Sequence, residues 1–266
     1  MEFKVAAIVN SYNRQKPLYN CIQSILQQKN LLEIIVVDDG SNPPLKIEDP
    51  NIKLIRNPRN IGVSRSRNIG ALASSDEATH LFFTDDDIIL EPSCFEILCD
   101  EQLWSLPNVG IVGGSVPNMR DKEKISFVWK YNCHPLTIDN KGGIIDLSEF
   151  WVEEDKTWSA DHVRGGNQLI RRDIFFELQG FNWIYGKGGF REETDFCLTV
   201  KQRGYTLWFK PTARALHFKE DYGGVREYGE REKWYDNIFR TKWSPLQYMG
   251  KHIDYPNHLI SKVEKR

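Results

Sequence analysis

Three polar clusters, each placed directly after a short apolar run, limit what this chain can fold into more than any other feature. Asn10-Ser11-Tyr12-Asn13 follows the run at 5–9, Asp38-Asp39-Gly40-Ser41 the run at 34–37, and Thr84-Asp85-Asp86-Asp87 the run at 81–83. Further apolar runs stand at 52–55 and 109–112, and all five read as buried strands. Helical spacing fills the intervals. After Pro17, residues Leu18, Cys21, Ile22, Ile25 and Leu26 fall at offsets 0, 3, 4, 7 and 8, which predicts one inward face, and Pro92 opens a similar segment with Phe95, Leu98, Cys99 and Leu103. Strands alternating with helices imply an α/β fold, a mostly parallel sheet covered on both faces, with right-handed crossovers. Ligands of such sheets sit beyond the carboxyl ends of the strands, so the three clusters are expected to converge on one edge.

The second half is less regular. Residues 115–160 mix Gly, Pro and charge and read as a variable insertion. Regularity returns at Gly165-Gly166-Asn167, followed by a strand at 168–170, a helix at 173–178 ended by Gly180, a helix from Glu192 ended by Gly204, and a strand at 206–209 that leads to Pro211 and His217. No Gly- or Ser-rich linker interrupts the chain. The expectation is one domain over 1–217 with an extension over 218–266 packed on it.

Charge and cysteine content exclude several classes. Thirty-five Lys and Arg against 37 Asp and Glu give a formal charge of −2, so no basic excess favours a nucleic-acid partner. No run approaches the ~18 apolar residues of a membrane span, and Met1-Glu2-Phe3-Lys4 leads into a strand without a signal-peptide pattern. A cytoplasmic protein without a transmembrane segment is expected. The five cysteines, Cys21, Cys94, Cys99, Cys133 and Cys197, form no C-x-x-C pair and read as buried free thiols. Most of the 32 aromatic residues are expected in the core. Trp129, Tyr131, Trp151, Trp158, Trp234 and Tyr235 stand as candidates either to form a stacking surface or to pack.

Carboxylates carry the chemistry. Asp85, Asp86 and Asp87 at a strand end would repel one another and raise their own pKa values unless a cation neutralises them. Oxygen ligands favour Mg2+ or Mn2+. Alternation along a strand points Asp85 and Asp87 to one ion, whereas a turn would present Asp86. His217 is either a further ligand or a structural residue. In the second cluster Asp39 could accept hydrogen bonds from a base or ribose, or serve an ordinary Asp-Gly turn. Tyr12 could stack on a base or pack. Asn60 to Asn68 places Gly62 and Ser64 before a helix whose N-terminus, with Arg65 and Arg67, could meet a diphosphate. The third group, Glu192-Glu193-Thr194-Asp195, complements a helix dipole or contains a general base. Gly186 to Gly189, just before it, reads as a flexible loop.

The order of these motifs resembles glycosyltransferase family 2, inverting enzymes of the GT-A (Rossmann-like) fold. Ser11-Tyr12-Asn13, Val36 to Ser41, Asn60-x-Gly62, Phe83 to Asp87, Gly165-Gly166-Asn167, Glu192-Glu193-x-Asp195, Gly204-Tyr205 and Pro211 to His217 occur in family order over residues 4–218. The resemblance implies a nucleotide-sugar donor, usually a UDP-sugar, and transfer to a glycan, lipid-linked or other hydroxyl acceptor. It places Asn10, Ser11, Tyr12, Asp39, Asn60, Gly62, Arg67, Asp85 and Asp86 near the nucleotide, and Gly165, Gly166 and Asn167 near sugar or acceptor. It places Asp85, Asp87 and His217 at a Mn2+ or Mg2+ ion, and Glu193 at the position of the base, where the family more often has Asp. Glu192 and Asp195 remain alternatives for the proton. Lipid-linked acceptors would bring the chain to the inner face of a membrane as a peripheral protein.

Three other classes compete. A haloacid-dehalogenase-like phosphatase would need a nucleophilic Asp on the first strand, which ends instead in Asn10-Ser11-Tyr12. A sugar nucleotidyltransferase would need a Gly- and Arg-rich loop there. A catalytically silent nucleotide-sugar or carbohydrate-binding module would use the same edge without turnover.

Overall fold

The computed structural model describes residues 2–119, 131–133, 136–138, 144–147, 150–152, 155–187, 189–225 and 229–243. Four early strands are β1 (Val5–Ser11), β2 (Leu31–Asp38), β3 (Ile52–Arg56) and β4 (His80–Asp85), with helices α1 (Gln15–Leu26) and α2 (Val63–Leu72) between them. They are followed by β5 (Ile88–Leu90), α3 (Cys94–Leu98), α4 (Glu101–Trp104) and β6 (Val109–Ser115). Four short strands, β7 (Tyr131–Cys133), β8 (Leu136–Ile138), β9 (Ile144–Leu147) and β10 (Phe150–Val152), form two small antiparallel pairs within the expected insertion. The chain returns with β11 (Trp158–Ala160), β12 (Gln168–Arg171), α5 (Arg172–Glu177), a 3-10 turn at Trp183–Tyr185, α6 (Glu192–Gln202), β13 (Thr206–His217) and α7 (Glu230–Trp243). Trp129 lies outside the described residues, as do 244–266 of the expected extension.

Among the described residues the main sheet has nine strands, ordered β11-β13-β6-β12-β4-β1-β2-β3, with β5 paired to β13. β1, β2, β3 and β4 pair in parallel, and β12 is antiparallel to both β4 and β6, so this is a mixed, mostly parallel sheet flanked by helices. Central strands are apolar on both faces, and strand alternation sends the two sets to different layers. Val5, Ala7 and Val9 pack with α1, α3 and α4, whereas Ala6 and Ile8 pack with α2, α5 and α6. Because β12 is reversed, its amino end and the carboxyl ends of β1, β2, β4 and β6 share one edge. The predicted convergence of Asn10, Asp38 and Asp85 is what the register delivers, with Asn10 opposite Val37 and Asp85, and Ser11 opposite Asp38.

Four local expectations need correcting. α1 starts at Gln15 rather than Pro17, which sits in the first turn where its missing N–H is harmless. Leu26, the last residue of that helix, is exposed, because the helix end runs past the sheet. The segment after Pro92 is two short helices, since Asp100 accepts the N–H groups of Gln102 and Leu103 and starts a second one. β13 continues through Pro211 to His217, because the register shifts between Lys210 and Arg214 and leaves room for a residue without an N–H. Cys21, Cys94, Cys99 and Cys197 are free and buried.

Candidate active site

The acidic triplet is split by the end of β4. Asp85 is the last strand residue and Asp86 and Asp87 lie in the turn to β5, so alternation does not bring Asp85 and Asp87 together as the sequence suggested. Asp85 Oδ1 accepts from Arg67 Nη2 at 2.8 Å. Asp86 and Asp87 both accept from Arg14 Nη1, at 2.9 and 2.8 Å, and the Ser11 hydroxyl donates to Asp86 at 2.6 Å. Burial, together with the charge of Asp87, raises the Asp86 pKa to about 7, against the pull of Arg14 and Ser11. Burial also acts on Asp87, but His217, Arg14 and the Glu220 N–H outweigh it and bring that carboxyl down to about 2. The pairing of β5 with β13 sets His217 opposite Ile88, and His217 Nε2 lies 3.3 Å from Asp87 Oδ1. β5 is only three residues long and carries no pattern of its own, which hid this pairing from the sequence.

Arg14 is the functional residue that sequence reading missed. It precedes α1, is 8% exposed, and also donates through Nε to the Tyr222 carbonyl at 2.9 Å. The segment after β13 thereby crosses the triplet, with the Gly224 N–H bonding the carbonyl of half-buried Tyr12 at 2.8 Å. A signal was present: three carboxylates at one strand end demand a cation, and Asn13-Arg14 follows the neighbouring parallel strand.

The second cluster is organised inward. Asp39 accepts from Asn57 Nδ2, Ile61 N and Gly62 N, all at 2.9 Å, and so fixes the loop that leads into α2. Gly62 has φ +97° and lies against the Gly186 carbonyl, where no side chain fits. The Asn60 side chain is buried with neither its nitrogen nor its oxygen partnered. Arg67 reaches further: besides Asp85 it donates to Asn10 Oδ1 at 3.3 Å, Glu192 Oε1 at 3.2 Å and the Gly165 carbonyl at 3.5 Å. Arg65 instead lies over the exposed Trp183 ring, 4.7 Å from its centroid.

At the amino end of β12 the Gly166 carbonyl accepts from Thr84 at 3.0 Å, and Gly166 lies against Ile88 with no room for a Cβ. Asn167 is fully buried, its amide donating to the carbonyls of Ser115 and Ala213 and accepting from the Cys94 thiol. It ties β6, β13 and α3 together and does not face the edge.

The three acidic residues of α6 take three different situations. Glu192 is 3% exposed, and burial followed by the charge of Glu193 pushes it well above the usual carboxylate range, against the pull of Arg67. Glu193 is half-buried with Oε2 unpartnered. Asp195 is committed elsewhere: Oδ1 accepts from the Tyr185 hydroxyl at 3.0 Å and Trp243 Nε1 at 2.8 Å, and Lys242 Nζ donates to Oδ2 at 2.9 Å. Both of its oxygens are thus bonded to neighbouring side chains, whereas Glu192 and Glu193 each keep one unpartnered oxygen. Of the aromatic candidates, Trp158 packs on Phe209 and Tyr235 is buried, whereas Trp234 is exposed; the side chains of Tyr131 and Trp151 are outside the described residues.

The profile of Glycosyl transferase family 2 matches residues 6–177, which is well over half of the chain. The chain belongs to glycosyltransferase family 2. It is 26% identical, over 95% of its length and 79% of the relative's, to a glucosyl-dolichyl phosphate glucuronosyltransferase of Haloferax volcanii. Glycosyltransferase GlyG of Streptococcus pneumoniae is 26% identical over 67% of this chain and 60% of that protein. Two solved structures share the fold: GalNAc-T7 with UDP, GalNAc and Mn2+ (TM-score 0.62, 18% identity, 82% of this chain and 44% of that one), and mannosyltransferase PcManGT of Pyrobaculum calidifontis with GDP-Man and Mn2+ (TM-score 0.55, 17% identity, 83% and 58%). This family 2 member thus has the GT-A fold and is a glycosyltransferase of the hexosyltransferase class. The chain spans about half the length of those two neighbours. No helix among the described residues is long and apolar enough to cross a membrane.

Proposed function

We propose that this glycosyltransferase moves a hexosyl group from a nucleotide-sugar, a UDP-sugar in the first instance, to a hydroxyl of a lipid-linked or glycan acceptor, with inversion at the anomeric carbon. The observation that carries the reading is Arg67, which joins the triplet to the first turn of α6, where Glu192 is buried against it and the half-buried Glu193 next in sequence is not bonded to it; each of the two carboxylates keeps one unpartnered oxygen. The acceptor class is suggested by the dolichyl phosphate in the name of the Haloferax relative. The exposed Trp183, Ile184 and Trp234 suit peripheral contact with such a substrate at a membrane surface.

In the reaction the acceptor oxygen forms a bond to the anomeric carbon as the bond to the diphosphate oxygen breaks, and Glu193 takes the acceptor proton. Asp39 shapes the loop at 57–62 beside the base and ribose, and Gly165 and Gly166 let the chain pass close to Arg67 and Ile88 at the sugar end of the edge. No three acidic, imidazole or thiol groups converge among the described residues, but Asp87 and His217 form an oxygen-and-nitrogen pair at the turn after β4 that fits a divalent ion. Two or three protein ligands completed by phosphate oxygens and water are the usual complement for Mn2+ or Mg2+ in nucleotide sites. When bound, the ion neutralises charge on the departing diphosphate. The test is release of nucleoside diphosphate from UDP- and GDP-hexoses with Mn2+, with and without a polyprenyl-phosphate sugar acceptor, and the anomeric configuration of the product. Turnover that EDTA leaves unchanged contradicts the metal, and a product with retained configuration contradicts direct displacement.

A further inference from the structure

The turn that carries Glu193 is held from a segment beyond the reach of the family profile. Glu193 stands two residues after Arg191 and two before Asp195, and both of these flanking side chains turn away from the triplet to α7. Arg191 donates to Asp236, with Nε 2.9 Å and Nη2 2.7 Å from Oδ1, while its guanidinium covers the rings of Phe190 and Phe239 at 4.9 and 5.2 Å. Asp195 receives Trp243 Nε1 and the Lys242 ammonium from the last turn of α7, and the Tyr185 hydroxyl from the 3-10 turn. Arg191 has φ +75°, a left-handed conformation that a residue with a side chain keeps only where its surroundings hold it. Gly186, φ +61°, lies so close to the Tyr235 hydroxyl that no Cβ fits, so the loop leading into α6 is shaped by α7 as well.

Packing alone does not require these bonds. Tyr185, Leu198, Tyr235, Phe239 and Trp243 already form an apolar cluster between α6 and α7. Burying an Arg–Asp pair and a carboxylate beside it costs desolvation that well-packed apolar side chains would avoid, and such groups fix geometry better than they add stability. We infer that α7 sets the place of the catalytic base: Asp236 and Trp243 are positioning residues that act on Glu193 through Arg191 and Asp195. The inference rests on the reading of Glu193 as the base. Donor binding at the triplet does not depend on these contacts, whereas proton transfer does.

Asp236→Asn and Trp243→Phe, which keeps the ring but cannot donate to Asp195, test this singly and combined with Glu193→Gln. The readouts are kcat on whichever UDP- or GDP-hexose the unmodified enzyme hydrolyses with Mn2+, the dissociation constant of the matching nucleotide, and amide hydrogen exchange over 190–196. Expected are a fall in kcat of about 10- to 100-fold, the scale of a misplaced reacting group, nucleotide affinity within about twofold, and faster exchange confined to 190–196. In the Glu193→Gln background the same substitutions should lower the residual rate less than about twofold, because a base that cannot take a proton loses nothing by moving. An equal loss in both backgrounds, or an unchanged kcat, overturns the inference. Near-normal turnover by Glu193→Gln alone overturns the base assignment itself, and the inference with it. Should Asp236→Asn lose nucleotide binding through misfolding, Trp243→Phe carries the same test.

Discussion

The acidic triplet and the first turn of α6 are both runs of carboxylates at the end of an element, yet they are neutralised in opposite ways. At the triplet every carboxylate has a guanidinium: Arg67 on Asp85, Arg14 on Asp86 and Asp87. On α6 the charges are separated by direction, since successive helix residues diverge by about 100°. Glu192 meets Arg67 through one oxygen, Asp195 meets Trp243 and Lys242, and Glu192 and Glu193 each keep one unpartnered oxygen. A cluster whose carboxylates are each held by a guanidinium suits binding; a carboxylate with an oxygen left unpartnered suits proton transfer. In the proposed function the same residue type serves two ends of one reaction because its partners differ.

Arg67 belongs to both clusters, so removing it should produce the largest effect. Arg67→Ala leaves Asp85 and buried Glu192 without their shared cation, and a loss of about 3–5 kcal/mol in chemical denaturation is expected. Lys29→Ala, whose partner Glu96 is exposed, should cost under about 1 kcal/mol. Equal losses from the two would break the comparison.

β4 also carries a titratable group at its other end. His80, packed between Phe3 and Trp104, is held by burial, and secondarily by Arg171, at a pKa of about 4. The folded value lies below the unfolded one, so its contribution is present above pH 6.5 and is lost as the pH falls toward 4. A decline of about 3 kcal/mol across that window is expected. His80→Phe should flatten the profile, and an unchanged slope would place the pH sensitivity in the carboxylates instead.

Asp39→Ala sharpens the contrast from the donor side. It frees the N–H groups of Ile61 and Gly62 and should cost about 1–3 kcal/mol of stability. UDP affinity should fall both with and without Mn2+, as isothermal titration would register; a loss confined to Mn2+ would place Asp39 by the phosphates. The smallest effect is expected for Asp87→Asn, which keeps shape but loses charge. The Mn2+-dependent part of UDP binding should weaken about tenfold, about 1.4 kcal/mol, while binding without metal is unchanged. Full Mn2+ dependence in that variant would remove Asp87 from the metal site.

The sequence made the donor edge readable because strand periodicity and strand-end position are local properties. Asn10, Asp38 and Asp85 meet because three parallel strands are in register, which apolar runs alone imply. What stayed hidden was set by pairing at a distance. Arg14 reaches the triplet from a loop and Asp195 is claimed by a helix that begins 35 residues later, while His217, set beside Asp87 by the family resemblance and not by any local pattern, gets there through a three-residue strand. Asp39 shows the other side: its position at a strand end was legible, but not that its oxygens bond the start of α2. Glu192 and Glu193 differ by one position, and burial together with the placement of Arg67 separates their environments.

The central claim is that donor binding and proton transfer reside in these two separately built clusters. Measuring kcat together with the UDP dissociation constant for Glu193→Gln, beside Glu192→Gln and Asp195→Asn, tests it most directly. The account predicts a fall in kcat of about 10²–10⁴ for Glu193→Gln with UDP affinity unchanged. Near-normal turnover by Glu193→Gln with a dead Glu192→Gln would move the base to Glu192, and normal turnover by all three variants would contradict the displacement mechanism.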